Sequence, residues 1–236
     1  MTERTPLRRA FTDLHACSYL EDRNARMEVL LSDRPADATV MAWMAASGYR
    51  RNGSWHYRPA CPDCRACIPT RIPVDRFQPS RSQRRAISAN ADLELRLTDV
   101  AMDPMRHGLY QRYQAARHPD GEMGSHGPDE CLRFLVAPGQ GISRALEAWK
   151  DDRLLGVMIL DLMRDGSSCV YSYYEPDEQR RSLGTFLVLA AIRTALERGE
   201  RWLYLGYRIA ECGKMAYKAS YRPRQELVGG SWRELD

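Results

Sequence analysis

The sequence lacks a segment long and apolar enough to cross a membrane. Its longest apolar run, from Leu183 to Ile192, is about half the length that a bilayer requires. The first ten residues, MTERTPLRRA, are polar and charged and hold no apolar stretch of the kind found in secretory signals. We therefore predict a cytoplasmic protein with no membrane partner.

The sequence also has little net charge and no internal repeat or low-complexity segment. Its 236 residues, of which 44% are hydrophobic and 28% charged, predict one large or two small globular domains. A net charge of +4 is too small to identify nucleic acid as a partner. In a reducing compartment the seven cysteines are expected to be free thiols or metal ligands.

Three of these cysteines form the motif CPDCRAC, in which two residues separate each cysteine from the next. This spacing is typical of a metal site, but a tetrahedral site needs a fourth ligand, for which Cys17 is the candidate. Cys17, Cys61, Cys64 and Cys67 therefore predict a zinc site or an iron–sulfur cluster. Bare thiols packed in a small domain are the alternative.

The second half of the chain holds a regular succession of strands. The segments SRALEAWK (143–150) and RLLGVMILDLM (153–163) flank two aspartates and predict a β-hairpin. The segment SSCVYSYYEP (167–176) predicts a third strand, which Pro176 ends. Shorter patterns predict helices at 36–48, 104–119 and 128–136.

A helix and one more strand follow. Apolar residues at helical spacing predict a helix from about Gln179 to Arg198, and RWLYLGY (201–207) predicts a strand. Hairpin, strand, loop, helix and strand is the order of the GNAT-type acyltransferase core. The predicted fold class is α+β or α/β, with a GNAT-like core at residues 76–236 and a small cysteine-containing domain at residues 1–75.

Five segments of the chain resemble the arginyl-/leucyl-tRNA–protein transferase family, and the run KMAYKxxYRP within them is the most specific. The short chain and the C-x-x-C-x-x-C motif resemble the bacterial branch. That branch moves leucine from leucyl-tRNA onto proteins that begin with Asp or Glu and so marks them for N-degron-dependent degradation. The segments are CSYLEDRNARME (17–28), YRPACPDCRACIPTRIPV (57–74), FQPSRSQRRAISANADL (77–93), VYSYYEPDEQRRSLGTFLVLAAI (170–192) and YLGYRIAECGKMAYKASYRP (204–223).

The resemblance implies direct attack of a protein α-amine on the ester of aminoacyl-tRNA, with no cofactor required. The α-amine has a reference pKa of about 7.7–8.0, so the protein must mainly align the reactants, accept a proton and stabilise an oxyanion. Glu175 is the predicted proton acceptor or ammonium ligand, at the end of a strand that also carries tyrosines. The predicted catalytic residues are Glu175, Tyr171, Tyr173 and Tyr174. Core packing of the tyrosines is the alternative.

The two substrates imply two sets of basic residues. Phosphates of the tRNA are expected at a helix start and on arginines, and an acidic acceptor is expected to meet a cation. The predicted tRNA-binding residues are Arg81, Arg84, Arg85, Arg180, Arg181, Ser182 and Gly184. The predicted acceptor-binding residues are Lys214, Lys218, Arg222, Arg71 and Arg76.

The sequence leaves three rival interpretations. Arginine is the donor in the eukaryotic branch of the family. The order of elements alone is also consistent with a coenzyme A-dependent N-acetyltransferase. The basic clusters and CPDCRAC are consistent with a non-enzymatic tRNA-binding or metal-sensing module. In eukaryotic relatives the N-terminal cysteines are associated with iron–sulfur or haem binding, but Leu20 stands where their second cysteine lies.

Overall fold

The structure, a computed structural model, describes residues 7–32, 34–138 and 141–235. Within these ranges no helix is both long and apolar enough to cross a membrane. The strands are β1 (Leu7–Phe11), β2 (His15–Ala16), β3 (Asn24–Ala25), β4 (Met27–Ser32), β5 (Arg50–Asn52), β6 (Trp55–Pro59), β7 (Ile68–Pro73), β8 (Glu94–Asp99), β9 (Ser143–Lys150), β10 (Arg153–Leu162), β11 (Gly166–Tyr174), β12 (Trp202–Arg208), β13 (Arg224–Val228) and β14 (Ser231–Leu235). The α-helices are α1 (Ala38–Ala46), α2 (Arg81–Ser88), α3 (Pro104–Arg117), α4 (Pro128–Leu135), α5 (Leu183–Glu197) and α6 (Gly213–Ala216).

A large mixed sheet forms the centre of the molecule. Its eight strands have the order β14-β13-β7-β12-β11-β10-β9-β8. Neighbouring strands are antiparallel except β11 and β12, which run parallel and are joined by α5. A parallel pair needs such a crossover, whereas an antiparallel pair needs only a turn. The mixed α/β class is confirmed.

The hairpin of β9 and β10 is confirmed, with Lys150 opposite Arg153 at its turn. The predicted third strand is β11, and the predicted last strand is β12. The long helix was predicted to begin at about Gln179, but α5 begins at Leu183 after a separate 3₁₀ turn. Ser182 has the left-handed backbone angle φ 51°, which interrupts the helical geometry between the two.

Both faces of the large sheet are covered. On one face Val157 and Ile159 of β10 pack against α3 residues such as Leu109. On the other face Met158 and Leu160 pack against the apolar side of α5. Because β10 is buried on both faces, it reads as a continuous apolar run.

Strand β7 connects the N-terminal part of the chain to the large sheet. It lies between β12 and β13, with Ile72 opposite Leu203 and Arg71 opposite Gln225. Four of the strands before it form a separate sheet in the order β1-β4-β6-β5, whereas β2 pairs with β3, and α1 precedes β5. The domain division between residues 75 and 76 stays a prediction, and β7 is the part of the first segment that extends the large sheet.

Candidate active site

Strands β11 and β12 pair only over their first residues. Gly166 lies opposite Trp202 and Ser168 opposite Tyr204, and the described residues show no pairing between the two strands beyond this point. We call the space between residues 169–174 of β11 and 205–208 of β12 the strand gap. Backbone groups that face it need partners other than a neighbouring strand.

Two cationic side chains supply such partners. Arg50, at the start of β5, donates from Nη1 to Ser168 Oγ at 2.5 Å and from Nη2 to the Cys169 carbonyl. Lys218 is 6% exposed and donates from Nζ to the Tyr207 carbonyl at 2.7 Å. Burial, and next the charge of Arg50, lower the pKa of Lys218 to about 7. The strand gap is therefore electropositive.

Aromatic rings surround Tyr174 at the end of β11. The Tyr113 ring lies 4.9 Å from the Tyr174 ring, and the Arg117 guanidinium lies 5.9 Å from the same ring. A Cβ atom at Gly184 would approach the Tyr174 ring to 3.0 Å, so glycine lets α5 begin close to it. Tyr217 is 48% exposed. Rings and guanidinium planes of this kind can stack an unpaired base.

Glu175 is buried although it directly follows β11. Its Oε2 accepts from Arg112 Nη2 at 3.0 Å and lies 3.6 Å from Arg153 Nη2. Its backbone N–H donates to the Leu155 carbonyl at 2.8 Å, which extends the sheet by one bond. The side chain is 4% exposed, so these two arginines compensate a carboxylate that burial would otherwise destabilise.

Tyr171 and Tyr173 lie on the face of β11 that packs against α3, as their alternation predicts. The Tyr171 hydroxyl accepts from Gln114 Nε2 at 2.7 Å. Tyr173 is 1% exposed, with its ring 5.5 Å from that of Tyr110 in an edge-on arrangement. This packing favours the core interpretation for Tyr173, whereas Tyr174 lies among the aromatic rings described above.

No side chain among the described residues caps the start of α5. Ser182 occupies the cap position with its left-handed backbone, and Arg180 before it is exposed. Arg181 is committed elsewhere, because its Nη1 donates to Asp92 at 2.7 Å and its Nε to Glu178 at 3.2 Å. The helix N-terminus can thus donate its N–H groups to an anion. Arg180 is the neighbouring arginine that is available to contact the same anion.

The predicted arginines of α2 lie near the start of α5. Asn90, just after α2, donates from Nδ2 to the Arg181 carbonyl at 2.7 Å and so fixes one element against the other. The three predicted arginine side chains of α2 are exposed, and Arg84 donates to the Pro79 carbonyl. They therefore form a basic surface beside α5, consisting of Arg81, Arg84 and Arg85.

Two of the predicted acceptor-binding residues lie close to the strand gap and its aromatic rim. Lys218 lies in the gap, and Lys214 is near the end of α3. Burial, and next Lys214, lower the pKa of His118 there. Arg222 is exposed and precedes a cis peptide bond to Pro223.

The remaining two predicted acceptor-binding residues, Arg71 and Arg76, contact the C-terminal hairpin of β13 and β14. The Arg71 guanidinium lies 3.6 Å from the Trp202 ring centre and 4.2 Å from that of Trp232. Arg76 makes a two-pronged contact with Glu234, with Nη1 2.7 Å from Oε1. Each of these arginines already has partners that account for its position.

The four predicted metal ligands lie near one another. Burial, and next the thiols Cys17, Cys61 and Cys64, raise the pKa of Cys67 to about 12. Cys64 Sγ instead accepts from Arg23 Nη1 at 3.4 Å. In the part of the chain that the structure describes, no three His, Cys, Asp or Glu side chains are placed to hold a metal ion.

Sequence reasoning missed Arg50, Arg112 and the aromatic residues of α3. Arg50 lies in the segment YRRNG, where two adjacent arginines on a strand must project to opposite sides. That alternation could have indicated that one of the two arginines is enclosed, since one side of the strand faces the interior. Arg112 and Tyr113 carried no signal, because their partners Glu175 and Tyr174 lie about sixty residues later.

Two family models match this chain. One, described as arginine-tRNA-protein transferase, N terminus, matches residues 15–85, and the other, described as arginine-tRNA-protein transferase, C terminus, matches residues 105–228. The chain belongs to the arginine-tRNA–protein transferase family. The first match includes CPDCRAC and the α2 arginines, and the second includes α3, β11, the start of α5 and Lys218. The chain is therefore a transferase, as the sequence predicted.

Relatives within the arginine-tRNA–protein transferase family match the chain over its whole length. An aspartate/glutamate leucyltransferase of Pseudomonas fluorescens strain Pf-5 is 44% identical over 98% of this chain and 98% of its own. Another, of Pseudomonas fluorescens strain Pf0-1, is 42% identical over 100% of both chains. A third, of Saccharophagus degradans, is 38% identical over 98% of both.

Two solved structures match this family member at much lower sequence identity than these relatives do. The C-terminal DUF2156 domain of a protein from Agrobacterium fabrum is 15% identical, with a TM-score of 0.46, over 75% of this chain and 54% of its own. The L-PGS of Bacillus licheniformis is 9% identical, with a TM-score of 0.46, over 71% of this chain and 49% of its own.

Proposed function

We propose that this protein moves leucine from leucyl-tRNA to the α-amine of proteins that begin with Asp or Glu, and so marks them for N-degron-dependent degradation. The observation that carries the proposal is the 42–44% identity to aspartate/glutamate leucyltransferases over 98–100% of both chains. The partners are leucyl-tRNA and an acidic protein N-terminus, and the protein acts in the cytoplasm.

The donor site is proposed at the start of α5, within a GNAT-like core formed by β8 to β12 and the helices on both faces. The uncapped N–H groups after Ser182, with Arg180 beside them, receive terminal phosphates of the tRNA. Gly184 lets the donor and the Tyr174 ring approach each other. The basic surface of Arg81, Arg84 and Arg85 extends this contact along the tRNA backbone, and Arg181 supports it by fixing α2 against α5.

The adenine at the tRNA 3′ end is proposed to stack on the aromatic rim of the strand gap. Tyr174 and Tyr113 present ring edges and faces there, and Arg117 lies over the Tyr174 ring. Tyr171 and Tyr173 are proposed to position this site without contacting the adenine, because they hold the end of β11 against α3. Base stacking on an aromatic side chain contributes about 1–3 kcal/mol.

Glu175 is proposed to bind the acceptor ammonium and take its proton. Both arginine contacts to this carboxylate are on Oε2, and we assign the amine to Oε1. Arg112 and Arg153 contact the other oxygen, Oε2, and so leave Oε1 for the ammonium. The neutral amine then attacks the ester carbonyl directly, with no metal and no protein nucleophile. The new amide bond forms as the ester bond to the tRNA 3′ ribose breaks, and the ribose oxygen leaves as a hydroxyl with the proton that the amine gave up.

The acceptor side is proposed to include Lys214, Lys218 and Arg222, with Arg71 and Arg76 supporting the C-terminal hairpin next to it. The first segment, residues 1–75, is proposed as the cysteine-containing domain. Transfer is proposed to need no cofactor. A zinc ion or iron–sulfur cluster at Cys17, Cys61, Cys64 and Cys67 stays a prediction, for which the described residues show no group of three side chains placed to hold a metal ion.

The test mixes the full-length protein with labelled leucyl-tRNA and peptides that begin with Asp, Glu, Arg or Ala. Label is expected on the Asp and Glu peptides only, at their α-amines. Absence of label from both acidic peptides contradicts the proposal. Label on the arginine peptide alone reassigns the acceptor class.

Arginine as the donor is the second candidate, since both matching family models carry the arginine name. The same assay with labelled arginyl-tRNA separates the two donors. The leucine proposal expects at least about tenfold faster transfer from leucyl-tRNA at equal concentration, which corresponds to about 1.4 kcal/mol of transition-state preference. Faster transfer from arginyl-tRNA contradicts it.

A further inference from the structure

Lys218 is buried and Arg50 is partly buried, and these two cations differ from the other enclosed arginines. The guanidinium groups of Arg51, Arg106 and Arg224 each lie within 3 Å of a carboxylate oxygen. In the described ranges of the chain, neither Arg50 nor Lys218 has a recorded carboxylate contact. Their recorded partners are a hydroxyl, two carbonyls and the Met215 sulfur.

Enclosing two neighbouring cations without an anion is costly, most of all for Lys218, which is the more deeply buried. The transfer of a charge from water into a protein interior costs several kcal/mol unless an opposite charge compensates it. The folded protein reduces the cost at one group, since burial and Arg50 lower the pKa of Lys218 to about 7. Arg50 cannot respond in this way, because a guanidinium stays charged. An anion bound between them would stabilise both.

Both cations keep N–H donors for which the described residues provide no acceptor. A lysine ammonium has three N–H donors, and Lys218 directs one to the Tyr207 carbonyl and contacts the weakly accepting Met215 sulfur. A guanidinium has five, and Arg50 directs two to Ser168 and Cys169. A carboxylate has two oxygens that can accept several such bonds at once.

Strand β12 is shaped to admit the Arg50 guanidinium. Gly206 has φ +83°, and a Cβ atom there would lie 3.0 Å from Arg50 Nε. The register of β12 against β7 shifts between Tyr204 and Gly206, next to this residue. A side chain at position 206 would displace the guanidinium, so the gap is built around Arg50.

We propose that Arg50 and Lys218 bind the side-chain carboxylate of the acceptor's first residue and thereby select Asp and Glu. This inference rests on the proposed function and adds the residues that set its acceptor specificity. A slender carboxylate side chain suits the site better than a tRNA phosphate, because Lys218 is only 6% exposed and Arg50 is held against two strands. Phosphates are expected on the exposed arginines of α2.

The experiment compares wild type with Arg50→Gln and Arg50→Lys, using peptides that begin with Asp or with Asn. These two residues have nearly the same shape and differ in charge. For wild type, kcat/KM is expected to be at least about 100-fold higher on the Asp peptide, the size of effect seen when a buried charge loses its partner. Arg50→Gln is expected to lower kcat/KM on Asp by about 100-fold, to leave Asn nearly unchanged and to keep KM for leucyl-tRNA. Arg50→Lys is expected to restore part of the preference for Asp.

Three controls separate the outcomes. Arg193→Gln, an exposed substitution on α5, is expected to behave as wild type, and thermal unfolding shows whether each variant is folded. If Arg50→Gln unfolds, Lys218→Met in the same assay decides, with the same loss of preference for Asp expected. An equal loss on Asp and Asn, or a raised KM for leucyl-tRNA alone, overturns the inference while the proposed function stands. If wild type transfers leucine to neither peptide, the proposed function itself has failed.

Discussion

Arg50 and Arg51 are neighbours in the chain and have opposite surroundings. Arg51 projects to one side of β5, where Nε lies 2.7 Å from Asp161 Oδ2 and Nη2 donates to the Leu135 carbonyl at 2.7 Å. Arg50 projects to the other side, into the strand gap, where its recorded partners are uncharged. Within the described residues, the fold thus gives one guanidinium a carboxylate counter-ion and the next one none.

This difference separates a structural charge from a binding charge. The carboxylate of Asp161 also accepts from Ser143 Oγ at 2.6 Å, so the region around Arg51 is saturated with internal partners. The strand gap instead keeps unused donors where β11 and β12 stop pairing. We expect substitutions in the first region to change stability and substitutions in the second to change activity.

The largest effect should come from breaking the paired region. Asp161→Asn removes one charge and leaves Arg51 buried without a counter-ion, since both side chains are 2% exposed. We expect the free energy of unfolding to fall by about 3–5 kcal/mol. Chemical denaturation followed by circular dichroism measures it. The double substitution Arg51→Met with Asp161→Leu removes both charges and should recover most of the loss, whereas no recovery would contradict the pairing argument.

Glu175 has features of both regions, because it is a buried carboxylate that two half-exposed arginines accompany. Glu175→Gln should lower kcat for leucine transfer by about 100-fold, within the range for a lost general base, because the amide cannot take the amine's proton. Single-turnover transfer to an Asp peptide measures it. The matched control is Glu178→Gln, which contacts Arg153 and Arg181 and should retain wild-type kcat. Equal rates in the two variants would assign Glu175 a purely structural role.

Lys218, in the strand gap, should make the stability of the protein depend on pH. Its pKa is lowered from 10.5 to about 7 by burial and Arg50. Between these values the unfolded chain holds a proton that the folded protein lacks, so this group makes stability rise from pH 7 toward pH 10.5 and fall again as the pH drops. The slope should be at most about 1.4 kcal/mol per pH unit, the value for a difference of one bound proton.

Lys218→Met should remove that slope and stabilise the protein at pH 7. Denaturation of wild type and variant at pH 7, 8 and 9 measures both effects. The exposed residue Lys150, which pairs with Asp92, gives the control Lys150→Met, whose slope should match that of wild type. A Lys218→Met variant that is less stable at pH 7 and keeps the slope would mean that the buried ammonium is well compensated.

The smallest effect concerns exposed cations. Replacing Arg81, Arg84 and Arg85 with Gln should weaken tRNA binding by about tenfold at low salt and flatten its salt dependence, since each phosphate contact contributes about 0.7–0.9 to the slope. Filter binding of leucyl-tRNA at several salt concentrations measures this. Arg96→Gln is the control, because Arg96 is exposed but paired with Glu94. An unchanged slope in the triple variant would place the tRNA elsewhere.

The sequence predicted those parts of the fold that depend on local pattern. The hairpin of β9 and β10 and the apolar face of α5 follow from periodicity, and both are confirmed. The start of α5 was misplaced because a single left-handed residue, Ser182, is not visible in the pattern. Long-range partners could not be predicted, since Arg50 meets Ser168 more than a hundred residues later. The roles of Glu175 and the basic residues stay predictions.

Strand β7 has a consequence for how the protein is made. Its neighbours in the sheet, β12 and β13, leave the ribosome long after it does, and the contact between Arg71 and Gln225 spans 154 residues. At a synthesis rate of about 5–20 residues per second, the edges of β7 stay unpaired for many seconds during translation. The sheet that frames the strand gap is therefore complete only near the end of synthesis. A nascent chain that stalls before β12 cannot form the gap, which ties the onset of transfer activity to completion of the polypeptide.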